Sequence, residues 1–275
     1  MSNKWKIFSV LFVVVCALFI GQAAQAQNSS FAIENVPNIV GVGIGVLPDY
    51  EGSNDYTIGA APFFRLTYPK TNYYATLIAT ELYVNVLNHP WLRLGPCLNY
   101  RFGRSDVNDK VVDKMHDIDG ATELGGFLGV EFIDKLNPRK RFIATAEILS
   151  DVSDVYNGYN MTFSARVWVP VSQMIDVTLG LGASYANENY MKTYFGVSPS
   201  DSARSGLPIF DAGSGMKDIR VIPAVVAHLS KDWHVGAGFR YSALMNDASS
   251  SPVVEDRGDS NQWIGGLAVA YSFNW

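Results

Sequence analysis

The sequence predicts an all-β protein: a transmembrane antiparallel outer-membrane β-barrel of about twelve strands, with short periplasmic turns and long external loops. Three observations carry that prediction. The first is the last stretch, where Trp263, Gly265, Leu267, Val269, Tyr271, Phe273 and Trp275 alternate with Ile264, Gly266, Ala268, Ala270, Ser272 and Asn274. A period of two with one large apolar face belongs to a strand between two environments. The rings of Tyr271, Phe273 and Trp275 fall where amphipathic aromatics mark a membrane boundary, and they are the barrel-closing signal. The second is that no apolar run after residue 20 is long enough for a membrane helix, although 14 Tyr, 15 Phe, 6 Trp and 24 Gly suit strands whose backbone is satisfied by neighbours. The third is that the connections alternate between short and long.

In order along the chain, Lys4 and Lys6 precede an apolar run at 7–20, and Ala24-Gln25-Ala26 supplies a small-x-small cleavage site. The run is shorter than the ~20 residues a spanning helix needs. Residues 1–26 are therefore expected to be a signal peptide, 27–37 a periplasmic N-terminal segment and 38–275 the barrel. Cys16 leaves with the signal, so the remaining Cys97 has no internal disulfide partner. The formal net charge of −5 argues against a nucleic-acid partner. No cofactor signature is present.

The expected strands are 38–47, 57–68, 72–79, 82–88, 91–102, 121–133, 140–150, 159–170, 173–185, 218–229, 232–243 and 262–275. The third and fourth also read as one bent strand, which leaves ten strands as an alternative; an even number keeps both chain ends on the periplasmic side. After even-numbered strands come the short connections 69–71, 89–90, 134–139, 171–172 and 230–231. After odd-numbered ones come mostly long, acidic ones: 48–56, 103–120, 151–158, 186–217 and 244–261. The 186–217 loop carries Tyr190, Met191, Tyr194, Phe195, Leu207, Ile209 and Phe210, too apolar for a free excursion, and is expected to fold into or over the barrel mouth.

The strand faces define a lumen. Met161, Phe163, Ala165, Val167 and Val169 oppose Asn160, Thr162, Ser164 and Arg166, while Ile175, Val177, Leu179 and Leu181 oppose Asp176, Thr178, Gly180 and Gly182. Extending this register points Arg65, Arg93, Arg101, Glu123, Glu131, Arg141, Glu147, Arg166, Asp176 and Arg240 inward as a paired polar network. An arginine on the lipid face near the midplane costs roughly 2 to 4 kcal/mol, which fixes the register. Such a network is either an ion-selective channel or ligand site, or a satisfied polar plug that fills the barrel.

Several loop motifs resemble one family. They are Pro48-Asp49-Tyr50-Glu51-Gly52-Ser53-Asn54-Asp55-Tyr56, Leu94-Gly95-Pro96 with Tyr100 and Gly103-Arg104, Tyr194-Phe195-Gly196-Val197-Ser198, Ser205-Gly206-Leu207, and Asp247-Ala248 with Ser251-Pro252-Val253-Val254. Together they are similar to the MipA/OmpV family, the MltA-interacting proteins of the outer membrane. The resemblance implies a scaffold that brings a membrane-bound lytic transglycosylase together with a penicillin-binding protein; relatives are also discussed as porin-like or adhesive surface antigens. It implies no catalytic residues.

Three functions follow, in order: a non-catalytic scaffold, a narrow channel, and an enzyme. A scaffold would meet periplasmic partners through the 134–141 turn or the 27–37 segment. The enzyme reading rests on His116, since His89, His228 and His234 fall near periplasmic turns; its plain alternative is a solvated loop histidine. Cys97 reads as an inward filler rather than a nucleophile. The acidic sets Asp49, Glu51, Asp55 and Asp106, Asp109, Asp113, Asp117, Asp119 do not match a calcium loop, so no metal is assigned. They suit solvated charge or ion-bridged contact with lipopolysaccharide, which with outer-membrane lipid is the expected surrounding.

Overall fold

The computed structural model describes residues 37–274. The signal peptide at 1–26, the segment 27–36 and Trp275 of the closing signal lie outside the described residues. Twelve strands carry the alternating pattern: β1 (Asn38–Pro48), β2 (Tyr56–Thr67), β3 (Tyr74–Ile78), β4 (Glu81–Asn85), β5 (Leu92–Arg101), β6 (Ala121–Ile133), β7 (Arg141–Asp151), β8 (Tyr159–Pro170), β9 (Ile175–Ala186), β10 (Gly215–His228), β11 (Trp233–Leu244) and β12 (Asn261–Phe273). They close into one antiparallel barrel in which each strand pairs with its sequence neighbours and β1 with β12. The ten-strand alternative falls away. At the closing seam Asn38 lies opposite Phe273 and Val46 opposite Gly265.

The outer surface is a lipid-facing belt. Val40, Val42, Ile44 and Val46 of β1, Leu124, Leu128 and Phe132 of β6 and Leu267 and Val269 of β12 are all exposed. Aromatic rings cluster at its two ends. On the side of the short turns Trp91 stacks on Phe132 at 6.4 Å and Trp233 meets Tyr271 at 5.2 Å. On the other side Trp263 packs on Phe239 at 4.8 Å and on Tyr241 at 4.5 Å. Two aromatic girdles around an apolar band are the signature of a membrane barrel. No helix of the described residues is long and apolar enough to cross a membrane; the strands do the crossing.

A wall this tightly curved needs glycine where strands approach closely. A Cβ on Gly125 would stand 1.8 Å from the Ile148 carbonyl oxygen, and one on Gly95 1.8 Å from that of Val84. Only a residue without a side chain fits there.

β3 and β4 are shorter than the sequence suggested, five residues each. They are cut short at the periplasmic ends, where Asn85 Nδ2 donates to the Asn72 and Leu87 carbonyls and the Asn72 N–H to Asn88 Oδ1 in place of a backbone ladder. The tight turn at Ala79, φ 56°, ends β3 at Ile78. β2 therefore pairs with β3 only from Phe63 to Thr67. Beyond Phe63 its outer half is an edge. The Ala79 N–H donates to the Pro62 carbonyl on the β3 side, whereas the Asp49 N–H donates to the Asp55 carbonyl on the β1 side. Period two then directs the backbone groups of Ala60, Ile58 and Tyr56 toward the gap, and those of Ala61 and Gly59 toward β1.

A proline can sit where its missing N–H faces no partner. Ala60→Pro is expected to leave the barrel's unfolding midpoint in urea nearly unchanged, and Ala61→Pro to lower stability by roughly 1–3 kcal/mol through the lost ladder hydrogen bond. Equal losses in both variants would show that the edge is paired.

Candidate functional site

The lumen charges meet across the barrel. β2 and β6 are not neighbours, yet Arg65 Nη2 lies 3.3 Å from Glu131 Oε2, which places both inside the wall. Arg93 on β5 donates to the same carboxylate at 2.8 Å and to the His89 and Leu92 carbonyls. Tyr83 on β4 lies 2.6 Å from Glu147 on β7 and 3.0 Å from Glu81, so one hydroxyl stands between two carboxylates. Nearer the external mouth, fully buried Glu123 accepts from Arg101 at 2.8 Å, Asn99 at 2.6 Å, Tyr156 at 2.7 Å and Asn160 at 3.3 Å. At the periplasmic end Asp176 binds Arg139, accepts from Trp168 Nε1 at 3.0 Å and lies 2.9 Å from His228 Nε2. His228 Nδ1 in turn lies 2.8 Å from His234 Nδ1, and His234 Nε2 2.8 Å from Ser272 Oγ.

The charges do not form one network of six arginines on four carboxylates. Arg141, Arg166 and Arg240 make no ion pair among the described residues. Arg141 instead stacks 4.2 Å over the Trp168 ring, Arg166 lies along Gly180, and Arg240 Nε is buried without a hydrogen-bond partner. The reason is local: each lumen carboxylate is already taken by a nearer donor, several from positions the sequence reading passed over. Arg139 sits in a turn, Tyr83 in a short strand, and His228 at a strand end. Lys217 and Asp218 pair with each other at 3.0 Å, Lys217 also binds Glu51, and Arg220 binds Asp218 at 3.1 Å. A register shift between Met216 and Asp218 extends β10 past its expected start and hid Lys217. Cys97 is buried in an apolar cluster with Phe127 and Leu149.

The external loops form a lid rather than a fringe. Four α-helices lie in them, besides a 3-10 turn at Val112–Lys114: α1 (Glu188–Phe195), α2 (Pro199–Ser205), α3 (Asn246–Ser250) and α4 (Pro252–Glu255). Asn187 Oδ1 caps α1 through the Tyr190 N–H and Ser198 Oγ caps α2 through the Asp201 N–H. Gly206 ends α2 at φ 81°, a left-handed position that favours glycine. Tyr190, Met191 and Phe195 of α1 pack with Ile118, Tyr156, Leu244, Ala248 and Val254 from four other loop and strand segments. A second cluster joins Tyr50, Val107, Val112, Met115, Val197, Leu207 and Val253. Both are buried, and together they cover the mouth as the apolar content of the 186–217 loop required.

The motif residues converge here. β1 ends at Pro48, Asp49 accepts from the Asn108 N–H at 2.9 Å, and Glu51 accepts from Tyr190 Oη at 2.9 Å. Gly52 adopts φ 100° and accepts from the Asp259 N–H at 2.9 Å, while Ser53 bridges to Gly258. Ser251 Oγ donates to the Phe195 carbonyl at 2.5 Å and caps α4 at Pro252 through the Val253 N–H. Gly196 leaves α1 with its N–H bonded to the Lys192 carbonyl, and Ser205 Oγ donates to the Asp201 carbonyl at 2.7 Å. Arg101 joins lid to lumen: it holds Glu123 and stacks 4.9 Å from the Tyr190 ring and 5.7 Å from that of Tyr194.

His116 lies half-exposed on the lid, its Nδ1 2.7 Å from Asp201 Oδ2. Asp201 is fully buried and also takes the His116 N–H, Ser198 Oγ at 2.6 Å and Arg204 at 2.6 Å. Burial alone would raise its pKa, but these donors hold it well below the usual carboxylate range. Burial pushes the Tyr50 hydroxyl up to about 12. Among the described residues no three acidic, histidine or cysteine side chains converge on a metal-holding position.

Comparison with known proteins adds to this geometry. A family model described as MltA-interacting protein MipA matches residues 40–273. The MltA-interacting protein of Escherichia coli (strain K12) is 29% identical over 101 residues, 37% of this chain and 38% of its own. Putative outer membrane protein YiaT of the same organism is 29% identical over 129 residues, 45% and 49% of the two chains. Outer membrane protein Omp26La of Vibrio anguillarum is 29% identical over 99 residues, 36% and 37%. The chain thus spans under half the length of each of these relatives. Among solved structures, a NanC porin is 8% identical with 86% and 100% coverage and a TM-score of 0.44. An outer membrane channel from Pseudomonas putida F1 is 11% identical with 90% and 100% coverage and a TM-score of 0.44.

Because the folded pKa of Asp201 lies below its unfolded value, its stabilisation of the lid is complete above pH ~4 and lost as pH falls further. Asp201→Asn is expected to lose on the order of 2–3 kcal/mol of lid stability at neutral pH, with protease cutting appearing in 102–120 while the strands stay resistant. The variant should also lack this acid-dependent component. An unchanged digestion pattern would mean that apolar packing alone holds the lid.

Proposed function

The chain belongs to the MltA-interacting protein MipA family and is an outer-membrane protein, and from that premise we propose that it is a lidded, non-catalytic barrel whose periplasmic rim docks a lytic transglycosylase and, beside it, a penicillin-binding protein. The observation that carries this reading is the packed lid, whose two apolar clusters cover the external mouth. The periplasmic rim carries apolar tips on separate turns: Leu136 is 90% exposed, and Val171, Met174 and Leu229 are also exposed. Exposed apolar side chains gathered at one end of a barrel suit contact with a partner. Lys135 beside Leu136 adds positive charge.

The absence of catalysis is part of the reading. Ser198, the hydroxyl beside the His116 pair, donates to the Asp201 carboxylate itself, so its proton is not offered to the imidazole. A nucleophile activated by a base needs the opposite arrangement.

A second reading, a narrow anion-preferring channel, is favoured by Arg141, Arg166 and Arg240, which line the lumen without carboxylate partners. The two readings separate in two measurements on refolded protein. Planar-bilayer recordings are expected to be silent, and binding of a purified lytic transglycosylase is expected to weaken on the order of tenfold in a Lys135→Glu, Leu136→Asp variant. Steady conductance that changes in Arg166→Ala, with transglycosylase binding absent, would reverse the order.

A further inference from the structure

We propose that the lid holds a small oxyanion, a carboxylate or phosphate group, between the guanidinium of Arg104 and the hydroxyl of Tyr50. The two side chains come from separate loops, both among the motif segments, and nothing in the barrel or the rim requires them to meet. Arg104 is fixed at its backbone by reciprocal hydrogen bonds with Ile118, at 2.8 and 2.9 Å. Its side chain is 5% exposed, and among the described residues it makes no ion pair. One guanidinium nitrogen, Nη1, reaches the Tyr194 carbonyl at a long 3.4 Å, and the other, Nη2, is buried without a partner. The guanidinium carbon stands 5.9 Å from the centre of the Tyr50 ring. Tyr50 is 7% exposed, and its hydroxyl is likewise buried without a partner.

Two donors withdrawn from water, one of them a full cation, cost several kcal/mol if nothing accepts from them. Buried polar groups in native proteins almost always have an acceptor, so each exception calls for one. Arg104 Nη2 is a donor without an acceptor, and the Tyr50 hydroxyl beside Ser53 has a proton to give; an acceptor bearing negative charge would satisfy both. The planar guanidinium edge suits the paired oxygens of a carboxylate or phosphate. Fully buried Ser53 accepts from the Asp55 N–H through its Oγ and has its own proton to offer beside Tyr50.

Two of the acids near this pair are spoken for, while Asp117 and Asp55 make no ion pair among the described residues. Arg257 is bound to Asp109 at 2.6 Å, and Asp201 to Arg204, Ser198 and His116. Burial outweighs the attraction of Tyr50, Asp201 and Asp117 and pulls the Arg104 pKa below its ordinary value. The protein's own acids leave this cation incompletely compensated, which a bound anion would remedy.

The test uses the full refolded barrel in neutral detergent free of phosphate lipid, at constant ionic strength set with chloride. Protease resistance of the lid is followed while inorganic phosphate or acetate is titrated. Resistance is expected to rise saturably, with the midpoint shifted on the order of tenfold in Tyr50→Phe, which keeps the ring and removes only the hydroxyl, and in Arg104→Gln. A parallel arm adds a phosphatidate-containing micelle: a rise there alone would mean that the group arrives as a lipid headgroup, and a rise with free phosphate or acetate that it is a small solute. Resistance independent of every anion, or equal midpoints in wild type and Tyr50→Phe, would overturn the site and leave water as the acceptor.

Discussion

Glu123 is fully buried and accepts from four donors, the side chains of Arg101, Asn99, Tyr156 and Asn160. Those donors belong to β5, β8 and the 152–158 connection, so one carboxylate fixes the wall, the register and the base of the lid at once. A charge withdrawn from water persists only when its partners surround it, and removing one partner leaves the rest exposed to the full penalty. Because side chains alternate along a strand, slipping β6 by one residue would put Glu123 and Glu131 into the lipid. The same demand recurs down the lumen, at Glu131 between Arg65 and Arg93 and at Asp176 between Arg139 and His228.

The lid follows from that lower constraint. Arg101, held by Glu123, offers its flat face to Tyr190 and Tyr194, and α1 settles on it with its apolar side inward. Tyr190 Oη then reaches Glu51, which Lys217 also binds, drawing the 49–55 loop and the start of β10 into the same structure. The consequence is a barrel whose lumen carboxylates are held by nearby donors and whose external mouth is packed over.

Much of this was legible in the chain because strand alternation is a local signal. The ends of β6, β8 and β12 agree with their expected ranges within one or two residues, and Arg65, Glu123 and Glu131 face inward by parity alone. Pairing was not legible, since Arg65 and Glu131 are 66 residues apart and Tyr83 and Glu147 are 64 apart. No periodicity reports which inward residues face each other across a barrel. β3 and β4 are shorter than alternation predicts because the Asn72, Asn85 and Asn88 side chains take over the hydrogen bonds at their periplasmic ends, and the positive φ that ends β3 falls on Ala79, a residue that does not advertise it. The apolar content of the 186–217 loop foretold a cover; that the 48–53, 103–104, 194–198 and 251–254 motifs would meet within it required the folded chain.

The central claim, that the external loops are one packed lid tied to the lumen charges, is tested most directly by amide hydrogen exchange on the refolded protein. The account predicts that Tyr190, Met191, Tyr194, Phe195, Val253 and Val254 exchange slowly, within reach of the strand amides, because their side chains are buried in the two apolar clusters. Exchange of those amides at the rate of an open loop, with the strands protected, would contradict it.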